Sequence, residues 1–397
     1  MVRLLELLVS LVIVAVLVVV IGLLLPDRGH VERSVEVSNP VRQIYDSINT
    51  MHRFPDWSPE RRLDPTLSFD YFGPRDGVGA GLTWRGNEEV GNGKLEITSS
   101  DPDSQVKMAV ENDYAGTNKS YTIRLEPSQN GKTTRIFWRY DAEYGWNLFW
   151  RYAGLYIHGA PDTAVQTAVG NLSNMLASFP NVDYKDQPIS VVDVVGSPIL
   201  YLGTRAPRTL DDVAMATDEA EAKLVAFMKK AGLSATGPRR TITTNYGDEN
   251  YVFDVAIPVD SATFSIERRD FTIPAAPALN GNGDDVLEGV DDEETQKTYA
   301  VGDIDDNGHL ILEDGIKATT SYTGKALVSE YTGSPASIPL LRIMEKAWAE
   351  THGYQYSEMD NGRFWDEAVP PAAAEDGSLP QAEEGVNTWR VYLPVIE

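Results

Sequence analysis

The chain opens on an apolar run and then alternates. Leu7–Leu25 carries no charge, and Ser10, Ala15 and Gly22 are its only small residues. Nineteen helical residues span about 28 Å, close to the thickness of a bilayer core. The run ends Leu25-Pro26-Asp27-Arg28 without an A-x-A cleavage pattern, which predicts an uncleaved signal anchor and not a removed leader. Arg3 lies before the run, and Arg28 and Arg33 lie after it, so charge sets the orientation only weakly. The short leading segment favours the N-terminus inside and the globular part on the non-cytoplasmic side. A short polar linker is expected at 26–32.

From Arg33 to about Asp183 the pattern predicts one α+β domain. Val35 and Val37 open a strand, and VRQIYDSIN after Pro40 has helical spacing. Strand-like runs follow at Leu67–Tyr71, Leu82–Arg85, Lys94–Thr98, Val106–Val110, Ser120–Leu125 and Thr134–Tyr140. Turn residues such as Gly73-Pro74, Gly91-Asn92-Gly93 and Asn130-Gly131 separate them. A long helix after Pro161 places Val165, Ala168, Val169, Leu172, Met175, Leu176 and Phe179 on one face, and Pro180 stops it.

The second half repeats itself. Phe253-Asp254-Val255-Ala256-Ile257-Pro258-Val259 aligns with Trp389-Arg390-Val391-Tyr392-Leu393-Pro394-Val395, an offset of 136 residues (253 to 389). Both copies alternate large apolar side chains and stop at proline, as a strand with a buried face does. The first copy follows a strand at Val191–Tyr201, a helix from about Thr209 to Gly232 and a strand at Arg240–Thr244. Thr209 with Asp212 fits a capping box, and Gly232 fits a left-handed stop. Leu224, Phe227, Met228 and Ala231 form that helix's buried stripe. The second copy follows a strand near Lys325–Tyr331, a helix from Ser337 to Gly353 with Leu341, Met344 and Trp348 inward, and a strand near Phe364. A duplicated strand–helix–strand–strand unit predicts two similar sheets with a cleft between the halves. Asn280–Glu294, Gly-rich and then acidic, and the Pro/Ala-rich Val369–Glu384 read as surface insertions.

Composition narrows the function classes. At 397 residues the chain suits two soluble domains besides the apolar run, and 42% hydrophobic residues is ordinary for globular protein. A formal charge of −25 argues against nucleic-acid binding, which needs a basic footprint. The chain contains no cysteine, which removes thiol nucleophiles, disulfides and thiolate metal sites.

Two family resemblances organise these elements. Phe54-Pro55-Asp56-Trp57-Ser58-Pro59, Gly73-Pro74-Arg75-Asp76-Gly77-Val78-Gly79-Ala80 with Trp84, and Arg151-Tyr152 before the long helix resemble the START-like, polyketide-cyclase-like helix-grip fold of the SRPBCC superfamily. That resemblance implies a sheet wrapped around a helix to form an apolar cavity. The paired proline-ended strands and the helix placement over 189–397 resemble the GyrI-like domain, also called the AraC effector-binding domain, which implies small-molecule binding. No helix-turn-helix or basic region accompanies it, so transcriptional control is not implied. The expected architecture is therefore α+β: anchor and linker at 1–29, a START-like domain at 30–184, and a GyrI-like domain at 189–397.

GyrI-like domains resemble one another in placing an acidic side chain among aromatics. A desolvated carboxylate walled by rings attracts a cation by Coulomb and cation–π effects together. The matching stretch here is Gly362-Arg363-Phe364-Trp365-Asp366-Glu367. Strand alternation turns one of Asp366 and Glu367 inward and the other outward, and Glu367 is preferred as the ligand-facing one. Tyr201, Tyr322, Trp348, Trp365 and Trp389 are candidate walls, with core filling as the alternative role. Asp303–Asp314 imitates a calcium loop, with oxygen ligands at positions 1, 3 and 5 and Gly308 at 6. It ends on Asp instead of Glu, and its flanks KTYAV and IKATTSY read as strands, so a hairpin turn is the preferred reading. Gly77–Gly81 lacks the Lys-Ser/Thr of a phosphate loop, the five histidines form no zinc motif, and no G-x-S-x-G elbow occurs. Neither a metal nor a cofactor is expected. Trp146, Phe149, Trp150, Tyr152 and Tyr156 could meet the membrane interface. The preferred reading is that they plug one end of the helix-grip cavity.

The sequence thus predicts a protein anchored through residues 7–25 that binds or sequesters a small hydrophobic or cationic molecule. Two alternatives stay open. One is a hydrolase or cyclase using a cleft carboxylate and a tyrosine. The other is an interaction scaffold with closed pockets.

Overall fold

The computed structural model describes residues 2–88, 90–128, 132–246, 249–275, 299–356, 364–369 and 387–396. The expected turn at Asn130-Gly131, the insertion at 280–294, most of the 369–384 insertion, and Gly362-Arg363 lie outside the described residues. The protein is mixed α+β with antiparallel sheets, and it divides into two compact units. One is Met1–Lys185 with Glu350–Gly353. The other is Asp186–Ala349 with Tyr354–Glu397.

The first unit begins with helix α1 (Val2–Leu24). Among the described residues it is the one helix long and apolar enough to cross a membrane, and by length and composition it suits either a span or a signal sequence. Only Leu25-Pro26-Asp27 separates it from strand β1 (Arg28–Val37), so strand occupies most of the segment expected as linker. Backbone bonds from Tyr144 and Gly145 N–H to the Asp27 carbonyl fix this junction at 2.7 and 3.2 Å. Helices α2 (Val41–Asn49), α3 (Phe54–Trp57) and α4 (Pro59–Leu63) follow. A meander comes next: β2 (Ser68–Phe72), β3 (Gly81–Arg85), β4 (Asn92–Asp101), β5 (Gln105–Glu111), β6 (Thr117–Pro127) and β7 (Thr134–Glu143). β1 closes it beside β7, giving the order β1-β7-β6-β5-β4-β3-β2. After a short helix α5 (Leu148–Ala153), the long α6 (Ala160–Ser178) lies against β1 and β7. Its Val165, Ala168, Leu172 and Leu176 meet strand side chains in a core rich in rings, including Trp57, Trp138 and Tyr140.

The second unit is built on nine strands. The run expected as one strand at 191–201 is two, β8 (Ile189–Val194) and β9 (Pro198–Pro207), broken at Val195-Gly196-Ser197. Helix α7 (Leu210–Ala231) follows. The Thr209 hydroxyl accepts from the Asp212 N–H at 3.1 Å, and Gly232 ends the helix in the left-handed region (φ 70°). Strands β10 (Arg240–Tyr246) and β11 (Asn250–Pro258) complete the first repeat, and a small hairpin, β12 (Thr263–Ile266) with β13 (Arg269–Thr272), lies beyond it. Strands β14 (Leu310–Ile311), β15 (Ile316–Thr320) and β16 (Gly324–Gly333), helix α8 (Ile338–His352), and strands β17 (Trp365–Val369) and β18 (Asn387–Pro394) follow.

The sheet order β14-β15-β9-β11-β10-β17-β18-β16-β8 makes the repeat visible. β9-β11-β10 in one half mirrors β16-β18-β17 in the other. The residue after each strand-ending proline bonds back in the same way: Val259 N–H to the Pro198 carbonyl and Val395 N–H to the Lys325 carbonyl, both at 2.9 Å. The halves form one continuous sheet and not two facing sheets. The physical reason is that β10 and β17 would each leave an open edge, and they satisfy it by pairing with one another, Arg240↔Glu367 to Ile242↔Trp365.

Alternation then sorts the side chains. Tyr251, Phe253, Val255 and Ile257 of β11 join Leu224 and Phe227 of α7 in one core cluster. Trp389, Val391 and Leu393 of β18 join Ile338 and Leu341 of α8 in another. The opposite face of the sheet carries a smaller cluster of Ile199, Tyr201 and Ala256, with Ile242 against it.

Candidate functional site

The face of the nine-strand sheet opposite α7 and α8 holds a pocket. Its lining comes from β9 (Ile199, Tyr201), β10 (Arg240, Ile242), β11 (Asp254), β15 with the segment after it (Thr319 to Tyr322), β17 (Trp365) and His309. The open space is about 70 Å³, room for several waters. Strand register explains why these residues converge. Lys317, Tyr201, Ala256, Arg240, Glu367, Arg390 and Glu330 occupy one row across β15, β9, β11, β10, β17, β18 and β16. The next row carries Asp254, Ile242, Trp365, Tyr392 and Val328. Period-two alternation puts both rows on the same face.

Rings form the wall at the seam of the repeats. Trp365 stacks on Tyr392 with centroids 4.7 Å apart and 7° between planes. Tyr322 leans on Trp365 with centroids 6.0 Å apart and 47° between planes. Burial pushes both tyrosine hydroxyls above their usual pKa, and for Tyr392 the nearby Glu367 charge adds to it.

A polar pair also lines the pocket. The Tyr201 hydroxyl and His309 Nδ1 share a hydrogen bond of 2.7 Å. His309 closes the turn that resembled a calcium loop. There the Asp305 carboxylate accepts from the backbone N–H of Asn307 (3.1 Å) and His309 (2.8 Å) and from Lys317 Nζ (2.9 Å). Burial alone would raise the Asp305 pKa, but the Lys317 and His309 hydrogen bonds hold it below the ordinary carboxylate value. Gly308, at φ 78°, lets the turn close. Of the flanks expected as strands, Ile316–Thr320 is one, whereas Tyr299–Val301 is not. Among the described residues no three His, Asp or Glu side chains converge as a metal site.

The sequence-predicted residues separate into two groups. Tyr201, Tyr322 and Trp365 line the pocket. Glu367 is on the same face beside Arg240, whose Nε donates to its carboxylate at 2.8 Å. Asp366 points the other way. It pairs with Arg342 of α8, and its pKa is raised because burial outweighs the Arg342 charge. Trp389 belongs to the core under α8, and Trp348 packs against that core. Glu345 lies in the same helix–sheet layer with no exposure, accepting from the Ser329 hydroxyl at 2.7 Å. Burial lifts its carboxyl well above the ordinary range.

Sequence reading passed over Arg240, Asp254, His309 and Thr319–Ser321. Asp254 had a signal, since it is the one charged residue inside VFDVAIPV. Arg240 had none, because its pairing with Glu367 joins positions 127 residues apart.

The aromatic run of the first unit also differs from expectation. Trp150 packs against the core, but Trp146, Phe149 and Tyr156 are 83%, 88% and 78% exposed, so these three do not plug a cavity.

No family model matches the chain, and no curated protein matches it. Solved structures give partial likenesses. A protein from Nitrosospira multiformis is 19% identical over 38% of this chain and 97% of its own, with a TM-score of 0.29. Norcoclaurine synthase from Thalictrum flavum is 15% identical over 38% of this chain and 87% of its own, with a TM-score of 0.31. The EcmrR C-terminal domain is 12% identical over 53% of this chain and 98% of its own, also with a TM-score of 0.31. Likeness at this level says nothing of activity.

Proposed function

We propose that the second unit binds a small, flat, largely apolar molecule on the sheet face opposite α7 and α8, and that α1 holds the protein in a membrane. The observation that carries this reading is the set of three rings, Tyr201, Tyr322 and Trp365, around a pocket that also contains Asp254 and Arg240. Aromatic walls with a few convergent polar groups are the usual composition of a small-molecule site. Glu367 spends its charge on Arg240, and Asp366 spends its own on Arg342. Asp254 adds a carboxylate to the pocket lining, and it favours a ligand with a cationic or hydrogen-bond-donating group. The START-like reading of 30–184 and the GyrI-like reading of 189–397 belong to the same proposal. They are supported by the seven-strand sheet with its long helix and by the mirrored strand order of the nine-strand sheet.

Native mass spectrometry of the detergent-extracted full chain tests it. A retained small molecule that disappears in Trp365→Ala is the expected result. A chain that carries no ligand, and whose tryptophan fluorescence responds to no aromatic cation, would instead fit the closed scaffold.

The Tyr201–His309 hydrogen bond favours a second reading, a hydrolase or cyclase. In that reading the tyrosine delivers a proton at the pocket, with His309 behind it and Asp254 as the cleft carboxylate. Tyr201→Phe separates the two readings: it abolishes turnover under the catalytic one and leaves affinity for an apolar ligand nearly unchanged under the binding one.

A further inference from the structure

We infer that the segment Trp146–Tyr156 is a second membrane contact, an aromatic collar seated in the headgroup region of the bilayer that α1 enters. The inference rests on the anchor reading of α1 and adds to it a defined surface of the globular unit.

The segment is fastened to the end of α1 by three kinds of contact. Arg151 of α5 donates from Nη1 to the carbonyls of Leu23 (2.9 Å) and Leu25 (3.1 Å), and from Nε to Gly145 (2.7 Å). Its guanidinium thus satisfies carbonyls that the C-terminus of a helix leaves without partners, and its charge complements the negative end of the helix dipole. The Tyr152 hydroxyl donates to the Val18 carbonyl at 2.7 Å. Gly22 is the point of close approach, because a Cβ there would stand 3.1 Å from both Leu148 and Tyr152.

These contacts fix the depth of α5. Val18 lies six residues before Leu24, about 9 Å along the helix axis. The Tyr152 hydroxyl therefore lies alongside the final turns of α1, and α5 occupies that level. Where α1 enters a bilayer, that level is the outer boundary of the hydrocarbon, and interfacial helices bury their apolar face about 5–10 Å there.

The outward chemistry matches that place. Trp146, Phe149, Leu155 and Tyr156 are exposed. Across Trp146–Tyr156 the single charged residue is Arg151, which is buried. Amphipathic rings concentrate at membrane interfaces, and an uncharged exposed aromatic surface continuous with a membrane helix meets lipid first. The collar would hold the first unit against the membrane surface and fix its tilt.

The cysteine-free chain makes the test direct, since any introduced cysteine is unique. Full-length Phe149→Cys, Val12→Cys and Asp70→Cys would each carry a nitroxide label in phosphatidylcholine nanodiscs. Collisions with oxygen, which partitions into lipid, are then compared with collisions with a water-soluble nickel complex. All three sites are exposed, so labelling disturbs no core. The expected result is a label at 12 deep in lipid, a label at 70 in water, and a label at 149 with an oxygen-to-nickel ratio several-fold above that at 70. A label at 12 in lipid with 149 as aqueous as 70 overturns the collar and leaves the anchor standing. A label at 149 shielded from both reagents means a protein covers the surface, and also overturns it. A label at 12 in water removes the anchor, and the collar falls with it.

Discussion

Asp366 and Glu367, adjacent in the chain, make ion pairs on opposite faces of one sheet. Asp366 reaches Arg342 in the layer beneath α8, and Glu367 reaches Arg240 at 2.8 Å on the face with the pocket. One step of strand alternation therefore separates a carboxylate that holds the fold from one that tunes the site. The two should respond to neutralisation in different ways.

Asp366→Asn leaves the Arg342 guanidinium buried without its counter-charge. Breaking a buried pair by removing one partner costs about 3–5 kcal/mol. Chemical denaturation of the second unit should show a loss of that order, and replacing Arg342 by Met in the same chain should recover part of it. A variant as stable as the parent would mean that water reaches Arg342.

Glu367→Gln acts on the site. It leaves the Arg240 charge uncompensated at the pocket, so a cationic dye should bind more weakly and an anionic dye of similar shape more strongly. Titrating both dyes against parent and variant reads the sign. A parallel loss for both would indicate collapse of the pocket and not a change of field.

Trp365→Ala removes the ring that both Tyr322 and Tyr392 contact. Stacking of this kind contributes about 0.5–1.5 kcal/mol beyond area burial. Aromatic ligands should therefore bind up to about tenfold more weakly. Trp389→Phe, a change in the core under α8, should leave affinity unchanged. Isothermal titration of the two variants against one ligand checks the contrast.

Stability of the first unit should depend on pH through Asp46. Burial raises its pKa from 3.8 to about 6, and the charge of Arg42 and a hydrogen bond from Tyr184 only partly offset that. The folded chain thus binds a proton that the unfolded chain has released over the window from about pH 4 to 6. Stability falls as pH rises through that window, by up to about 3 kcal/mol in the ideal case. Asp46→Asn should flatten this part of the profile of unfolding midpoint against pH. An unchanged slope would place the titration elsewhere.

The elements were legible in the sequence where local chemistry decides them. Thr209 and Gly232 mark the ends of α7 because capping and a left-handed stop are properties of single residues. Pro258 and Pro394 mark the strand ends because proline lacks the N–H that a ladder needs. Non-local pairing was not legible. Alternation gives the phase of β17 and β18 but not which face carries the helices, so Trp365 and Trp389 look alike in sequence, although one lines the pocket and the other packs under α8. The union of the halves through β10 and β17 depends on two edges 123 residues apart at Ile242 and Trp365. No local pattern encodes it. Phe149 and Trp150 show the same limit, since neighbouring rings in one helical turn take opposite environments.

In the proposed function, the pocket ringed by Tyr201, Tyr322 and Trp365, with Asp254 in its lining, takes a small aromatic ligand. Titration of the full-length protein with rhodamine 6G, followed by tryptophan fluorescence beside Asp254→Asn and a Ser104→Ala control, tests it most directly. Saturable quenching is expected in the parent and in the control, with affinity lowered about tenfold or more in Asp254→Asn, as expected when a carboxylate in the pocket lining loses its charge. Equal affinity in all three proteins, or no saturable quenching in any, would contradict it.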